Sequence, residues 1–408
     1  MATDSSNRTK SDAETANSDR TTETQSGAET ERERDSQPDE AATEDDPYTI
    51  RPYEPDDRED FLELYDQVLG DRDDEWFRWK YEDNPYVDHV PMIVATHEGR
   101  VVGTKPSFAL ELRAGERTLR ALQPADVMVH EDHRRRGLYS RTTERLKERY
   151  RDRDADLFFN FPNEATLSGS LKHGWRIVEE VPTYYRVQRP DALVDGDGHG
   201  RLERLATAAG PVAAAYFRAR DQLADPPTDV VVRRFADVPV DQFVDLYEQA
   251  IPGTVHAHRD ETFYEWRFEN PKWTYDAYVA SRDGEPIAGV ITGTRTEDGT
   301  KETCLTDIVP LVRTRERRDG LEAILARVLE DRRDAALLAT SGRAVDPALL
   351  GQFGFRSDQS LPFSKVTQPT TQVTYPLADD GGHEWTVAGR AIADPANWTV
   401  TFAEQDTW

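Results

Sequence analysis

The chain has one cysteine, Cys304, three methionines and eight lysines in 408 residues. A single thiol excludes an internal disulfide framework and any cysteine-rich zinc site. No stretch approaches the roughly 18 apolar residues that a membrane span needs, and the N-terminus is acidic where a secretory leader would be basic and then apolar. The expected location is therefore cytoplasmic, with no membrane partner. Positive charge is also scarce: 51 Lys and Arg face 78 Asp and Glu, for a formal net charge of −27. Such a field repels phosphodiester backbones and argues against nucleic acid as a partner. Arginine so far outnumbers lysine, on so acidic a surface, that the composition fits a halophilic, salt-adapted cytosol. Residues 1–46 contain no Leu, Ile, Val, Phe, Tyr or Trp. They cannot bury enough apolar surface to offset ordering entropy, and a disordered acidic tail is expected.

What is present is an internal repeat. Ile50-Arg51 followed by Phe61-Leu62-Glu63-Leu64-Tyr65-Asp66-Gln67 recurs as Val232-Arg233 followed by Phe243-Val244-Asp245-Leu246-Tyr247-Glu248-Gln249. Trp79-Lys80-Tyr81-Glu82 with Asn84-Pro85 recurs as Trp266-Arg267-Phe268-Glu269 with Asn270-Pro271. The turn Glu98-Gly99 between two alternating runs returns as Asp283-Gly284, and Gly174-Trp175 returns as Gly354-Phe355. Four matches in one order define two copies of a strand, helix and hairpin module. The expected divisions are a tail at 1–46, a first domain at 47–190, an Ala-rich helical connector at 191–226, a second domain at 227–368 and a strand-rich extension at 369–408. The recurring aromatic groups around Trp76 and Phe263 read as core rather than as ligand-binding residues.

In the first copy, strand-forming Gln123–Val129 is followed by His130-Glu131-Asp132-His133 and then Arg134-Arg135-Arg136-Gly137-Leu138-Tyr139-Ser140, which opens a helix through Arg149. A glycine-containing, arginine-rich turn at a helix start aims backbone N–H groups and the positive end of the dipole at one point, as a pyrophosphate requires. This run resembles the coenzyme A loop of the GNAT superfamily of N-acetyltransferases, Arg/Gln-x-x-Gly-x-Gly/Ala, with Arg134, Gly137 and Tyr139 at the marked positions. Tyr139 departs from the small residue expected there. The resemblance continues through the strand Leu157–Phe161, Asn163 and Gly174-Trp175.

The resemblance implies an α/β fold (α+β mixed) of two GNAT-like modules, each a mixed, mainly antiparallel sheet flanked by helices, with splayed central strands. It implies acetyl-CoA as co-substrate, no metal, and a small-molecule or peptide amine as acceptor. Coenzyme contacts fall on Met128, Val129, Arg134, Arg135, Arg136, Gly137, Leu138, Tyr139, Ser140 and Asn163, with the N–H groups near Met128 and Val129 as oxyanion donors. Attack of a neutral amine on a thioester needs a proton acceptor, and Asp126, Glu131 and His130 are the candidates. The family's tyrosine, which protonates the leaving thiolate, is replaced by Ser170, so Tyr139, Tyr184 or Tyr185 would have to substitute. The catalytic assignment is thus Asp126, Glu131 and Tyr139. In the second copy Arg317 and Gly320 keep the spacing, but Asp319 and Glu322 bring carboxylates to it, so this copy reads as degenerate. His130, His133, His256 and His258 lack the spacing of familiar zinc ligands, and Cys304 reads as a buried apolar side chain. The alternatives are a catalytically silent acyl-CoA-binding or partner-binding protein, and a FemABX-like aminoacyl transferase.

Overall fold

A computed structural model describes residues 46–406 apart from 71, 152–154, 190–226, 298 and 378–384. The expected acidic tail, except Asp46, and the helical connector lie outside the described residues. The first copy runs β1 (Tyr48–Pro52), α1 (Arg58–Val68), α2 (Asp74–Phe77), β2 (Met92–His97), β3 (Arg100–Ala114), β4 (Arg117–Pro124), β5 (Met128–Val129), α3 (Leu138–Arg151), β6 (Leu157–Asn160), α4 (Glu164–Lys172), β7 (Arg176–Val181) and β8 (Thr183–Val187). The second runs β9 (Val230–Phe235), α5 (Val240–Glu248), β10 (Val255–Ala257), α6 (Glu261–Arg267), β11 (Thr274–Arg282), β12 (Glu285–Glu297), β13 (Thr300–Val309), α7 (Arg315–Asp331), β14 (Leu337–Ser341), α8 (Pro347–Gln352) and β15 (Arg356–Ser357), and β16 (Thr370–Pro376) follows it.

The repeated residues do the same physical work twice. Phe61, Leu64 and Tyr65 form the buried face of α1, as Phe243, Leu246 and Tyr247 do in α5. Each such side chain contributes about 1.5–3 kcal/mol on full burial. Asp73 caps α2 by accepting from the Trp76 N–H, and Asp260 caps α6 from the Phe263 N–H, both at 2.9 Å. The hairpins β2–β3 and β11–β12 turn on Glu98-Gly99 and Asp283-Gly284, all four with positive φ, the conformation that a tight two-residue turn demands. The aromatic residues flanking Trp79 and Trp266 are buried in one core, as expected.

The modules are not closed on themselves. One sheet has the order β1-β2-β3-β4-β6-β16-β7, with β5 and β10 also pairing to β3. The other has the order β15-β8-β14-β13-β12-β11-β9. Thus β8, the last strand of the first copy, is seated between β14 and β15 of the second, and β16, beyond the second copy, is seated between β6 and β7 of the first. Each sheet is completed by chain from the other half. Both are mainly antiparallel, with parallel pairing at β4–β6 and β13–β14.

Candidate functional site

The backbone interrupts itself where the site begins. β4 ends at Pro124, Asp126 adopts φ 46°, and β5 resumes on β3 with Met128 opposite Thr104 and Val129 opposite Gly103. The parallel contact of β4 with β6 is confined to Ala121–Leu157 and Leu122–Phe158. Past that point β6 continues with β16 while β5 stays with β3. Two neighbouring strands therefore part, and Met128 and Val129 form one wall of the gap.

The loop after β5 is bent by its own side chains. The Arg134 guanidinium donates back to the Val129 carbonyl at 3.2 Å. Arg135 and Gly137 have φ of 61° and 74°, so the chain reverses tightly before Gly137 accepts the first helical bond from the Arg141 N–H. A Cβ built on Gly137 would meet nothing within 4 Å, so the turn faces open space. The first-turn N–H groups of Leu138, Tyr139 and Ser140 have no acceptor within an α-helix. The dipole of the 14-residue α3 and the exposed side chains of Arg134, Arg135 and Arg136 add positive charge to the same turn, an arrangement that could hold an anion.

Tyr139 crosses from α3 to α4. Its ring lies so close to Gly169 that a Cβ there would stand 2.7 Å away, which explains a glycine inside α4. Burial raises the pKa of its hydroxyl, and a hydrogen bond with Ser170 opposes the shift. Tyr139 thus brings a phenol to position 170, where the family resemblance expects one. Tyr184 and Tyr185 are on β8 in the other sheet. The Asn163 carbonyl caps α4 by accepting from the Thr166 N–H at 3.0 Å, leaving its amide nitrogen as the group able to reach a ligand. Ser140 is tied to His173 at 3.1 Å, and His173 to Glu144 at 2.7 Å.

The carboxylates separate into different environments. Asp126 accepts from the Lys80 ammonium at 2.6 Å and from the phenols of Tyr81 at 2.5 Å and Tyr65 at 3.1 Å. Burial works to raise its pKa, but Lys80 and these hydrogen bonds outweigh it and hold the carboxyl below the ordinary range. Glu131 is exposed in the short turn after His130 and is not part of this cluster.

Sequence reasoning missed the second carboxylate of the cluster, Asp406, 3.4 Å from Lys80. Its carboxyl is pushed up, by burial first and also by the neighbouring Asp126 charge, with Lys80 opposing. The residues before it are built into the centre of the molecule. Arg267 donates to the carbonyls of Ala403 and Gln405 at 3.0 and 2.8 Å, and Glu404 lies 2.8 Å from Arg259, which also holds Asp307. At Gly342 (φ 78°) a Cβ would overlap the Val400 carbonyl, so only glycine lets this segment pass.

The second copy has no loop at the matching place. Thr314 caps α7, and Gly320 lies within the helix, where a Cβ would stand 2.8 Å from that of Ala288. Arg317 is buried and donates to the carbonyls of Pro310 and Ala344, while Asp319 pairs with Arg282 at 3.0 Å. The Arg-x-x-Gly spacing survives here as helix packing. His256 is buried between the Tyr247 hydroxyl and the Thr254 carbonyl. Glu111, His258 and Asp260 each bring one potential ligand atom to within 4.8 Å of the others. Among them, however, His258 and Glu111 are already hydrogen-bonded to each other at 2.7 Å. Cys304 is buried.

Residues 49–178 match the family model described as an acetyltransferase (GNAT) domain. The first copy is a GNAT domain. The whole described chain has the fold of two GNAT-like modules, as comparison with solved structures shows. A GCN5-related N-acetyltransferase from Anabaena variabilis aligns over 81% of this chain and 73% of its own, with TM-score 0.53 and 11% identity. Saccharomyces cerevisiae N-myristoyltransferase with bound myristoyl-CoA and inhibitors aligns over 81% and 80%, with TM-score 0.52 and 14% identity. A tandem GNAT protein from the clavulanic acid biosynthesis pathway aligns over 82% of this chain and 99% of its own, with TM-score 0.50 and 15% identity. No curated protein sequence matches the chain. No helix among the described residues of this tandem GNAT fold is long and apolar enough to cross a membrane.

Proposed function

We propose that the protein is an acetyl-CoA-dependent N-acetyltransferase with its working site in the first module. The observation that supports this most directly is the open turn at Arg135–Gly137, leading into α3 beside the gap between β5 and β6. In this reading the pyrophosphate sits on the N–H groups of residues 136–140, with Arg134, Arg135 and Arg136 around it. The thioester lies in the gap, its carbonyl oxygen facing the backbone of Met128 and Val129.

The amine nitrogen attacks the carbonyl carbon, the new C–N bond forms, and the C–S bond breaks. Two protons move. One leaves the amine for a carboxylate, and Asp406 suits this better than Asp126, whose lone pairs are engaged by an ammonium and two phenols. The other passes to the departing thiolate from the Tyr139 hydroxyl. Each such transfer contributes about 10²–10⁴-fold to the rate. The second module and the C-terminal segment serve as scaffold, completing the first sheet with β16 and delivering Asp406.

Calorimetric titration with acetyl-CoA, followed by thiol-release assays over a panel of small amines and peptide N-termini, tests the reading. Saturable binding with acceptor-dependent thiol release supports it, and absence of binding rejects it. A second reading, a silent acyl-CoA-binding protein, draws on Ser170 in place of the family's tyrosine. Binding without thiol release across the panel selects that reading.

A further inference from the structure

Glu111, His258 and Asp260 stand where the two copies meet, and hydrogen bonds fix how they face one another. Glu111 is on β3 of the first copy. His258 follows β10, whose Ala257 is opposite Leu112 of β3, and the His258 N–H donates to the Glu111 carbonyl at 2.9 Å. Asp260 uses one oxygen, Oδ1, to cap α6 at the Phe263 N–H. Its other oxygen, Oδ2, lies 3.8 Å from His258 Nδ1, and the same nitrogen lies 2.7 Å from Glu111 Oε1. One imidazole nitrogen therefore faces two carboxylates.

No lysine or arginine among the described residues pairs with Glu111 or Asp260, whereas Asp126, Asp276 and Asp307 each hold one. The neighbouring Arg259 is taken by Asp307 and Glu404. The three side chains are 21 to 37% exposed, so an ion from solvent can reach them. The Tyr86 hydroxyl is buried with no hydrogen-bond partner among the described residues. After burial itself, the charges of Asp260 and Glu111 are what push its pKa up, so this phenol lies in the field of the same two carboxylates.

An imidazole nitrogen with two carboxylate oxygens is a donor set for zinc and its divalent neighbours. Atoms bound to one such ion at about 2.0–2.2 Å stand roughly 3–3.5 Å apart. The separations here are 2.7 Å, 3.8 Å and no more than 4.8 Å, and side-chain shifts of about an ångström bring them into that range. The hydrogen bond between His258 and Glu111 joins two of the atoms that an ion would share, so binding replaces that bond and its proton.

We propose that Glu111, His258 and Asp260 form a binding site for a zinc-type divalent ion, which clips β3 of the first copy to the start of α6 in the second. The ion's two positive charges answer the two carboxylates that no arginine meets, and water completes its coordination. The inference is independent of the acyl-transfer reading.

The test is calorimetric titration of the full, chelator-treated chain with zinc chloride at pH 7.5, in molar KCl with excess Mg²⁺. These conditions screen the general attraction of a −27 chain for cations. Expected are about one zinc per chain and a melting temperature that zinc raises and EDTA returns. Loss of an outer-shell partner alone costs about 10–100-fold in metal affinity, so His258→Ala should cost about 100-fold or more. Asp260→Asn is the second variant. Asparagine caps a helix as well as aspartate does, so α6 keeps its start while the site loses a charge, and zinc affinity should fall by about tenfold or more. Native protein that binds no zinc under these conditions overturns the inference. So does zinc affinity that is unchanged in these variants, or that is lost instead in His133→Ala, which places the ion on the histidines before the Arg134–Ser140 loop. If His258→Ala does not fold, the native protein and Asp260→Asn decide the matter.

Discussion

Trp79 and Trp266 each donate the indole N–H to the other's backbone carbonyl, both at 2.9 Å, with their rings stacked at 22° and 5.8 Å between centroids. They are equivalent positions of the repeat, so the two copies meet about a local twofold relationship at this pair. The pairing satisfies two polar groups that the surrounding aromatic core would otherwise strand.

Replacing either tryptophan by phenylalanine removes one donor and takes one hydrogen bond from a buried carbonyl, although that of Trp266 keeps the Glu269 N–H at 3.2 Å. Each single variant is expected to lose about 1–3 kcal/mol in denaturant unfolding, and the two losses should be similar. The double variant should lose less than their sum, because the pair acts as a unit. Additive or strongly unequal losses would contradict the symmetric seam.

Gly137 and Gly320 should fail in different assays when replaced by valine. At Gly137 the space is open, so Gly137→Val carries only the strain of a positive φ, about 1–3 kcal/mol, but it puts a branched side chain into the anion turn. Acetyl-CoA affinity should fall by several kcal/mol in calorimetry, on the scale of displaced charge-assisted hydrogen bonds. At Gly320 the helix packs against Ala288, Ile287 and Ala280, so Gly320→Val should lower the unfolding free energy by about 1–3 kcal/mol through overpacking. Equal losses of coenzyme affinity in both would require a second working site.

His256 makes stability depend on pH. Burial, reinforced by Arg259, lowers its pKa from 6.5 to about 4. The unfolded chain therefore binds a proton between pH 6.5 and 4 that the folded chain refuses. The contribution is complete above pH 6.5 and is lost as pH falls toward 4, by about 3 kcal/mol in all. Unfolding curves at pH 7 and 4.5 should show the loss, and His256→Gln should flatten that part of the profile.

Asp406 and Asp126 should separate in kinetics. With the thioester site intact, Asp406→Asn is expected to slow acetyl transfer by about 10²-fold or more while leaving acetyl-CoA affinity nearly unchanged. Asp126→Asn leaves the Lys80 ammonium short of its main partner and should cost stability first, about 3–5 kcal/mol for a broken buried pair. A kinetic defect confined to Asp126→Asn would reverse these roles.

Much of this was legible in the chain because it is local. The repeat in Phe61–Gln67 and Phe243–Gln249, the Glu98-Gly99 and Asp283-Gly284 turns, and the Arg134–Ser140 helix start are set by side-chain spacing and backbone freedom over a few residues. Those forces act whatever the rest of the molecule does. Gly320 shows the limit of such reading: its spacing from Arg317 copies the loop, yet Thr314 starts the helix earlier and the glycine serves packing.

Contacts far apart in sequence were decided only by tertiary structure. The exchange of β8 and β16 depends on which sheet edge each strand meets, and strand-forming residues at 183–187 or 370–376 carry no label for one edge over another. Asp126 and Tyr139 were visible as titratable groups, but their environments come from Lys80, Tyr65, Ser170 and Gly169 on other elements. Asp406 gave no local signal, because a lone carboxylate gains its altered proton affinity from the water it loses. That loss happens only when the two modules and the C-terminal segment close around it.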